Sequence, residues 1–217
     1  MTIISHQYGV QDGVVLVKVE LDDGSSLYIK DCYLEGYFKV PFSKWDFLQT
    51  GGNLSSEEEE VLRFADSCFR AERTGRRLIS RAEQTQTGLS LKLKKRGHDN
   101  ACISIVLSRF LENNLINDER YAERWLRSQL FRKSGNVKGP RQLSAALLNR
   151  GISREVLKEV FNKVLDEEAE FTLLQRFLMK NKAKIATTSA DAAYYLRNRL
   201  RHEGFTAPII NRYFDEA

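Results

Sequence analysis

Leu91-Lys-Leu-Lys-Lys-Arg-Gly-His-Asp-Asn-Ala-Cys-Ile-Ser-Ile-Val-Leu107 is the stretch on which the reading of the whole chain turns. Its pattern returns twice. The second copy is Ala145-Ala-Leu-Leu-Asn-Arg-Gly-Ile-Ser-Arg-Glu-Val-Leu-Lys-Glu-Val-Phe161, and the third is Asn198-Arg-Leu-Arg-His-Glu-Gly-Phe-Thr-Ala-Pro-Ile-Ile-Asn-Arg-Tyr-Phe214. With Gly97, Gly151 and Gly204 aligned, the copies lie 54 and 53 residues apart and their apolar positions fall into columns. Leu93, Leu147 and Leu200 stand four before the glycine. After it come Cys102, Val156 and Ile209, then Ile103, Leu157 and Ile210, then Val106, Val160 and Tyr213, then Leu107, Phe161 and Phe214.

Each copy reads as a helix, a glycine stop and a second helix with an i, i+1, i+4, i+5 apolar stripe. Glycine suits the position just past a helix C-terminus, because the chain there commonly turns through the left-handed region, which a Cβ disfavours. Asp99, Ser153 and Thr206 follow at one offset and can cap the next helix's free N–H groups.

Outward from these copies the chain divides into an N-terminal arm (residues 1–54) and three-helix repeats at 55–116, 117–166 and 167–217. In the arm, Val14-Val-Leu-Val-Lys-Val-Glu-Leu21 and Ser26-Leu-Tyr-Ile-Lys30 flank the turn residues Asp22-Asp-Gly-Ser25, which predicts a hairpin. A further short strand is expected around residues 32–38, then a short helical piece from Pro41 with Trp45, Phe47 and Leu48 on its apolar side. A hairpin alone is marginal in water, so the arm must pack on a neighbour or move. Ser55-Ser-Glu-Glu-Glu-Glu60 starts a helix, with a serine cap and acidic residues where the helix dipole favours them. That helix continues through Leu62, Ala65 and Cys68 to about Arg73, and a second one ends near Arg96. Asn117 or Asp118 caps a helix whose buried stripe is Tyr121, Ala122, Trp125 and Leu126, and Pro140 suits the first position of another. Phe171, Leu174, Phe177 and Leu178 point inward from the first helix of the last repeat, and residues 186–189 form the break before its second helix. The expected fold is mainly α: three tandem three-helix, helix-turn-helix-like repeats stacked into an elongated body, with an N-terminal β-hairpin arm.

Composition narrows the function. No apolar run approaches the length of a membrane span, and no basic-then-apolar leader opens the chain, so an unexported, cytoplasmic protein without membrane contact is expected. Cys32, Cys68 and Cys102 are odd in number and lack CxxC spacing, which argues against disulfides or a zinc site. His6, His98 and His202 stand apart from one another and from any nucleophile motif, and no phosphate-binding glycine loop occurs. Neither an enzyme nor a cofactor or metal is expected.

The net charge of +5 conceals an asymmetry. Residues 1–62 carry 4 Lys/Arg against 11 Asp/Glu, residues 63–150 carry 19 against 8, and residues 151–217 carry 11 against 10. The positive field belongs to the first two repeats and suits a polyanion, nucleic acid or an acidic protein surface. Its carriers are Arg73, Arg76, Arg77, Arg81, Lys94, Lys95, Arg96, Arg120, Arg124, Arg127, Arg132, Lys133, Lys138 and Arg141. Such contacts confer affinity without sequence reading, with a steep salt dependence. Two readings remain at this point, a DNA-binding module and a helical adaptor lying along a larger partner. The helices after the glycines are poor in Arg, Asn and Gln at their exposed starts, which disfavours specific base reading.

Leu78-Ile-Ser-Arg81, Leu91-x-Leu-Lys-Lys-Arg-Gly97, Leu115-Ile-Asn-Asp-Glu-Arg-Tyr-Ala122, Lys138-Gly-Pro-Arg-Gln-Leu143 and Leu148-Asn-Arg-Gly-Ile152 resemble, in order and spacing, the RecX family of recombination regulators. The resemblance covers about residues 63–214. It implies a protein of three tandem three-helix repeats that binds along the groove of the RecA–DNA filament and blocks its growth, ATPase and strand exchange. It also implies a damped SOS response, with RecA and single- or double-stranded DNA as partners of a monomer. Arg76, Arg77, Lys94, Lys95, Arg124, Arg127, Lys138 and Arg141 are the first choices for contacts. A sequence-neutral DNA-binding protein independent of RecA is the alternative. Two positions depart from the family pattern: Asn117 stands where its acidic pair begins, and Gly88 stands near a helix start where it has an acidic residue.

Overall fold

The computed structural model describes residues 1–11, 14–34, 49–132, 136–185 and 192–216. Strands β1 (Ile3–Gln11), β2 (Val14–Leu21) and β3 (Ser26–Lys30) form one antiparallel sheet in the order β1-β2-β3. Nine helices follow among the described residues: α1 (Ser56–Ile79), α2 (Gln86–Lys94), α3 (Asn100–Glu112), α4 (Asp118–Phe131), α5 (Pro140–Leu148), α6 (Arg154–Val164), α7 (Glu167–Ile185), α8 (Ala192–His202) and α9 (Ala207–Glu216). The mainly helical class with a β arm is the one expected. The chain divides into two compact units, Met1–Glu83 with Leu89–Leu115, and Gln84–Gly88 with Ile116–Ala217.

In the first unit the expected hairpin is β2–β3, closed by Leu21 N–H donating to Ser25 O at 2.9 Å, with Gly24 at φ +80° in the turn. Val17, Val19, Leu21, Leu27 and Ile29 make its buried face. The structure adds β1, paired to β2 from Ile3↔Leu21 to Gln11↔Val14, and this third strand gives the hairpin the partner it needs. The strand expected from Cys32 is corrected. Asp31–Tyr33 is a 3-10 turn, in which the Asp31 carboxylate accepts the Cys32 N–H at 2.6 Å and bends the chain out of the sheet. The rest of that expected strand and the helical piece from Pro41 lie outside the described residues, as does the break at 186–189.

Ser55 caps α1 through a complete capping box with Glu58, and the helix runs to Ile79, beyond the expected end near Arg73. β3 lies along α1, and α1 packs on α3. Two acidic residues of α1 are buried and serve the arm. Asp66 accepts the Tyr28 N–H at 2.9 Å, satisfying an edge-strand donor. Glu72, 4% exposed, receives Lys30 Nζ at 2.8 Å on both oxygens, the Tyr33 hydroxyl at 2.8 Å and Arg76 Nε at 2.7 Å. Burial alone pushes the Glu72 carboxyl up, but the Lys30, Arg76 and Tyr33 hydrogen bonds outweigh it and hold the group below its usual range.

All three repeat glycines adopt the left-handed turn, with φ of +81°, +84° and +92° at Gly97, Gly151 and Gly204. His98, Ile152 and Phe205 donate their N–H groups back to the carbonyls of Leu93, Leu147 and Leu200, at 3.4, 3.2 and 3.1 Å, so each turn is a Schellman motif closed on the buried leucine column. Asp99 caps α3 through Ala101 N–H at 2.7 Å, and Ser153 caps α6 through Val156 N–H at 3.2 Å. At the third copy the Thr206 N–H donates to Glu170 Oε1 at 2.8 Å.

In the second unit α4 packs on α6, and α9 on α7 and α8. The core includes Ala122, Leu126, Leu143, Leu147, Val160, Leu174, Leu200, Phe205 and Ile210, with Tyr121 and Trp125 half-buried against it. Two contacts repeat with the sequence period. Thr85 Oγ1 donates to the Arg150 carbonyl at 2.9 Å, and a Cβ on Gly151 would collide with Thr87. One period on, the Gly139 N–H donates to the Glu203 carbonyl at 2.9 Å and the Arg141 N–H to the Gly204 carbonyl at 3.0 Å. In both, the N-terminal turn of one repeat's middle helix rests on the glycine turn of the next repeat. Asn117 is the cap of α4, accepting the Arg120 N–H at 2.8 Å. This leaves Asp118 to accept the Gln86 N–H at 2.8 Å at the start of α2. Gly88 fits that start because its N–H donates to Thr85 Oγ1, 2.9 Å from where a Cβ would stand.

Candidate nucleic-acid interface

The extension of α1 beyond Arg73 matters for the basic residues. Arg73, Arg77 and Arg81 follow at intervals of four, so the stripe continues along one helix face into the residues just past its end. With Arg70 and Arg96 they line a cleft of about 490 Å³ that, among the described residues, also takes in Thr74 and Leu78 but no carboxylate. Arg70 is anchored by Asp66 at 2.6 Å, and Arg96 Nη1, in the turn past α2, reaches back to the Lys92 carbonyl at 2.8 Å. Among the described residues, the side chains of Arg73, Arg77 and Arg81 have no hydrogen-bonding or ion-pair partner. Thr74 Oγ1 lies 3.1 Å from His98 Nε2 at the edge of the cleft, and burial together with the nearby Arg96 charge lowers the His98 pKa. Four of the expected basic residues thus converge with one, Arg70, that spacing alone did not single out. The signal was there: Arg70 lies three before Arg73 and seven before Arg77, on the same face.

The other expected residues are placed differently. Arg76 belongs to the Glu72 cluster and Arg127 is paired with Glu123 at 2.9 Å, so the expectation of a block with few neutralising carboxylates is corrected at these two positions. On the same side of the second unit Lys163 of α6 reaches Glu123 at 2.8 Å and Glu119 at 3.7 Å. The Lys163 and Arg127 hydrogen bonds hold the Glu123 carboxyl below its usual range. Arg120 and Arg124 lie on this face of alternating charge, each with interactions of its own. Lys94 and Lys95 are exposed at the end of α2, and Arg132 is exposed past α4. Lys133 lies outside the described residues. Arg141 is exposed in the first turn of α5. Lys138 borders a second cleft of about 580 Å³, with Lys180, Arg199, Gln142 and Asn181, but Glu203 is also in its wall.

The arrangement offers fixed positive charge and hydrogen-bond donors, which suits recognition of anions. Burial raises the thiol pKa of each cysteine, Cys32 to about 11, away from the thiolate form that reactive cysteines need. No described helix is long and apolar enough to cross a membrane, and no group of three or more metal-ligating side chains occurs among the described residues.

Residues 117–160 match the family model described as RecX, second three-helix domain. The chain is 33% identical over 136 residues to the regulatory protein RecX of Halorhodospira halophila, covering 62% of this chain and 80% of that protein. It is 29% identical over 142 residues to the regulatory protein RecX of Syntrophotalea carbinolica, covering 64% and 91%. A crystal structure of regulatory protein RecX superposes with a TM-score of 0.75 at 16% identity over 99% of this chain and 98% of that one. The RecX structure from Lactobacillus salivarius superposes with a TM-score of 0.63 at 19% identity, over 70% and 97%.

Proposed function

The chain belongs to the RecX family of regulatory proteins, and on that premise we propose that it binds the RecA–DNA filament and restrains it. Bound in the filament groove as a cytoplasmic monomer, it obstructs subunit addition and exchange, lowers DNA-dependent ATP hydrolysis and strand exchange, and damps the SOS response. The observation that carries this reading is the stripe Arg73, Arg77 and Arg81 in a cleft that, among the described residues, has no carboxylate in its wall, on a chain built from repeats. Such a stripe attracts phosphates and acidic protein surface, and repeated modules let one chain reach along a repeating partner. Arg76, Lys94, Lys95, Arg96, Arg120, Arg124, Arg127, Arg132, Lys133, Lys138 and Arg141 extend the proposed contact surface. No residue needs to act as acid, base or nucleophile, because occupying the groove is enough.

The test is RecA ATP hydrolysis on single-stranded DNA, with the protein added at ratios far below one per RecA, before and after filaments form. Inhibition at those ratios is expected, strongest when the protein is present while filaments grow. An effect seen only when the protein saturates the DNA would replace this reading with simple competition for DNA.

A further inference from the structure

The repeats are fastened to one another by one kind of contact, used twice. Thr85, Gly139 and Ala192 each stand twelve residues before their own repeat's glycine, at the starts of α2, α5 and α8. The first of these starts rests on the Gly151 turn, with Thr85 Oγ1 donating to the Arg150 carbonyl and Thr87 set against the glycine. The second rests on the Gly204 turn, with the Gly139 and Arg141 N–H groups donating to the Glu203 and Gly204 carbonyls. Thr85 and Gly139 are both buried. Three helix starts and three glycine turns thus make two pairs inside the chain and leave one of each over. The turn left over is Gly97: a Cβ there would meet nothing within 4 Å, and among the described residues no backbone donor reaches the Arg96 or Gly97 carbonyl. The start left over is that of α8, where Ala192 is half-buried, Ala193 is exposed, and Tyr194 and Tyr195 are 67% and 69% exposed. Tyr194 holds the place of Thr87 and Arg141, which press on the two covered turns.

We propose that the α8 start of one copy of this chain docks on the open Gly97 turn of a second copy, continuing between chains the contact that joins the repeats within one. The order is the one seen inside the chain, where the start in each repeat takes the turn of the repeat that follows. The chemistry fits at both ends. The first N–H groups of α8 have no partner within the helix, and the Arg96 and Gly97 carbonyls are acceptors of the kind that Arg150, Glu203 and Gly204 offer. Tyr194 and Tyr195 bring aromatic area to bury, and Lys95 and Arg96, both exposed beside the turn, bring cations for their ring faces. Because the two surfaces differ, a pair of copies still has one free start and one free turn, and association runs head to tail. One helix start on one turn is small beside the roughly 1,200 Å² of a stable interface, so the contact is weak and the dilute chain stays monomeric. This inference concerns copies of this chain alone and does not rest on the RecA reading, so either can fail while the other stands.

The experiment is sedimentation velocity of the full chain, without RecA or DNA, over a concentration series from micromolar to near millimolar, in enough salt to screen the basic surfaces. The wild type is expected to shift reversibly from monomer to dimer and larger species as concentration rises. Gly97→Asn blocks the turn, since Asn tolerates the left-handed backbone and its side chain fills the space the helix start would take. Ala192→Arg blocks the start, since it sets a bulky cation where the paired starts hold a buried threonine or glycine, and opposite Lys94, Lys95 and Arg96. Gly97 is exposed and Ala192 partly so, and circular dichroism of both variants is expected to be unchanged. Each variant alone is expected to stay monomeric across the series. An equimolar mixture of the two retains one good start and one good turn, so it is expected to form dimers and nothing larger. The proposal is overturned if the wild type stays monomeric throughout, if either folded variant associates as the wild type does, or if the mixture stays monomeric.

Discussion

The glycine turn of the first unit and those of the second have one backbone and two environments. Gly97, Gly151 and Gly204 share a left-handed φ and the same backward hydrogen bond to a buried leucine carbonyl. Around Gly151 and Gly204 the turn is covered: Thr87 presses on one, and Gln142 and Arg141 on the other. At Gly97 a Cβ would meet nothing within 4 Å, and Gly97 itself is exposed. Local chemistry repeats faithfully along the chain, while what packs on it does not. The first unit relies instead on a buried ionic cluster, Lys30–Glu72–Arg76 with Tyr33, that the second unit lacks among its described residues.

The largest effect is therefore expected where the first unit is fastened. Glu72→Ala strands Lys30, which is 6% exposed, without its counter-charge. Removing one partner of a buried pair costs about 3–5 kcal/mol. Urea unfolding followed by circular dichroism is expected to show that loss, and replacing both Lys30 and Glu72 with Met and Leu to recover most of it. A loss below about 1 kcal/mol would mean that the cluster is wet and that the two units are held alike.

Next in size are the glycines, which separate conformation from packing. Gly97→Ala carries only the left-handed penalty, about 1–2 kcal/mol. Gly151→Ala adds the collision with Thr87 and is expected to cost more, and Gly151→Ala with Thr87→Ala should return it toward the Gly97→Ala value. Equal costs for the two single variants would erase the distinction between an open and a covered turn.

These contrasts also show what was legible in the sequence. The leucine and glycine columns were, because a helix end imposes its requirements within six residues and the period repeats them. β1 was not: Ile4, Tyr8 and Val10 are more than half exposed on an edge strand, so no buried alternation marks it. The Lys30–Glu72 pair spans 42 positions and the covering of Gly151 by Thr87 joins two repeats, and neither leaves a local trace. In the candidate site, Arg73, Arg77 and Arg81 were legible as members of a basic block, but their common face was not, because the helix was expected to end near Arg73 and runs to Ile79. The pairing of Arg76 and Arg127 followed from carboxylates four residues earlier, but that they are spoken for emerges only from the geometry.

The smallest expected effect concerns the residue after the glycine. Ile152 and Phe205 are buried there, while His98 in the first unit is partly exposed and faces Thr74 Oγ1. Burial, then the Arg96 charge, lowers the His98 pKa below the 6.5 of the unfolded chain. Below pH 6.5 the unfolded state binds the proton first, so the stability this residue contributes is complete above that pH and is lost as pH falls through the folded value. Glu72 acts in a lower window: its depressed folded pKa contributes stability above about 4.5, lost as pH falls further, so the two do not overlap near pH 6. Unfolding free energies at pH 7.5 and 5.5 should therefore differ in the wild type, and the His98→Ile variant should remove that difference by making the first turn like the second. Persistence of the same pH dependence in the variant would assign it to another group and leave His98 as a neutral stand-in for Ile152.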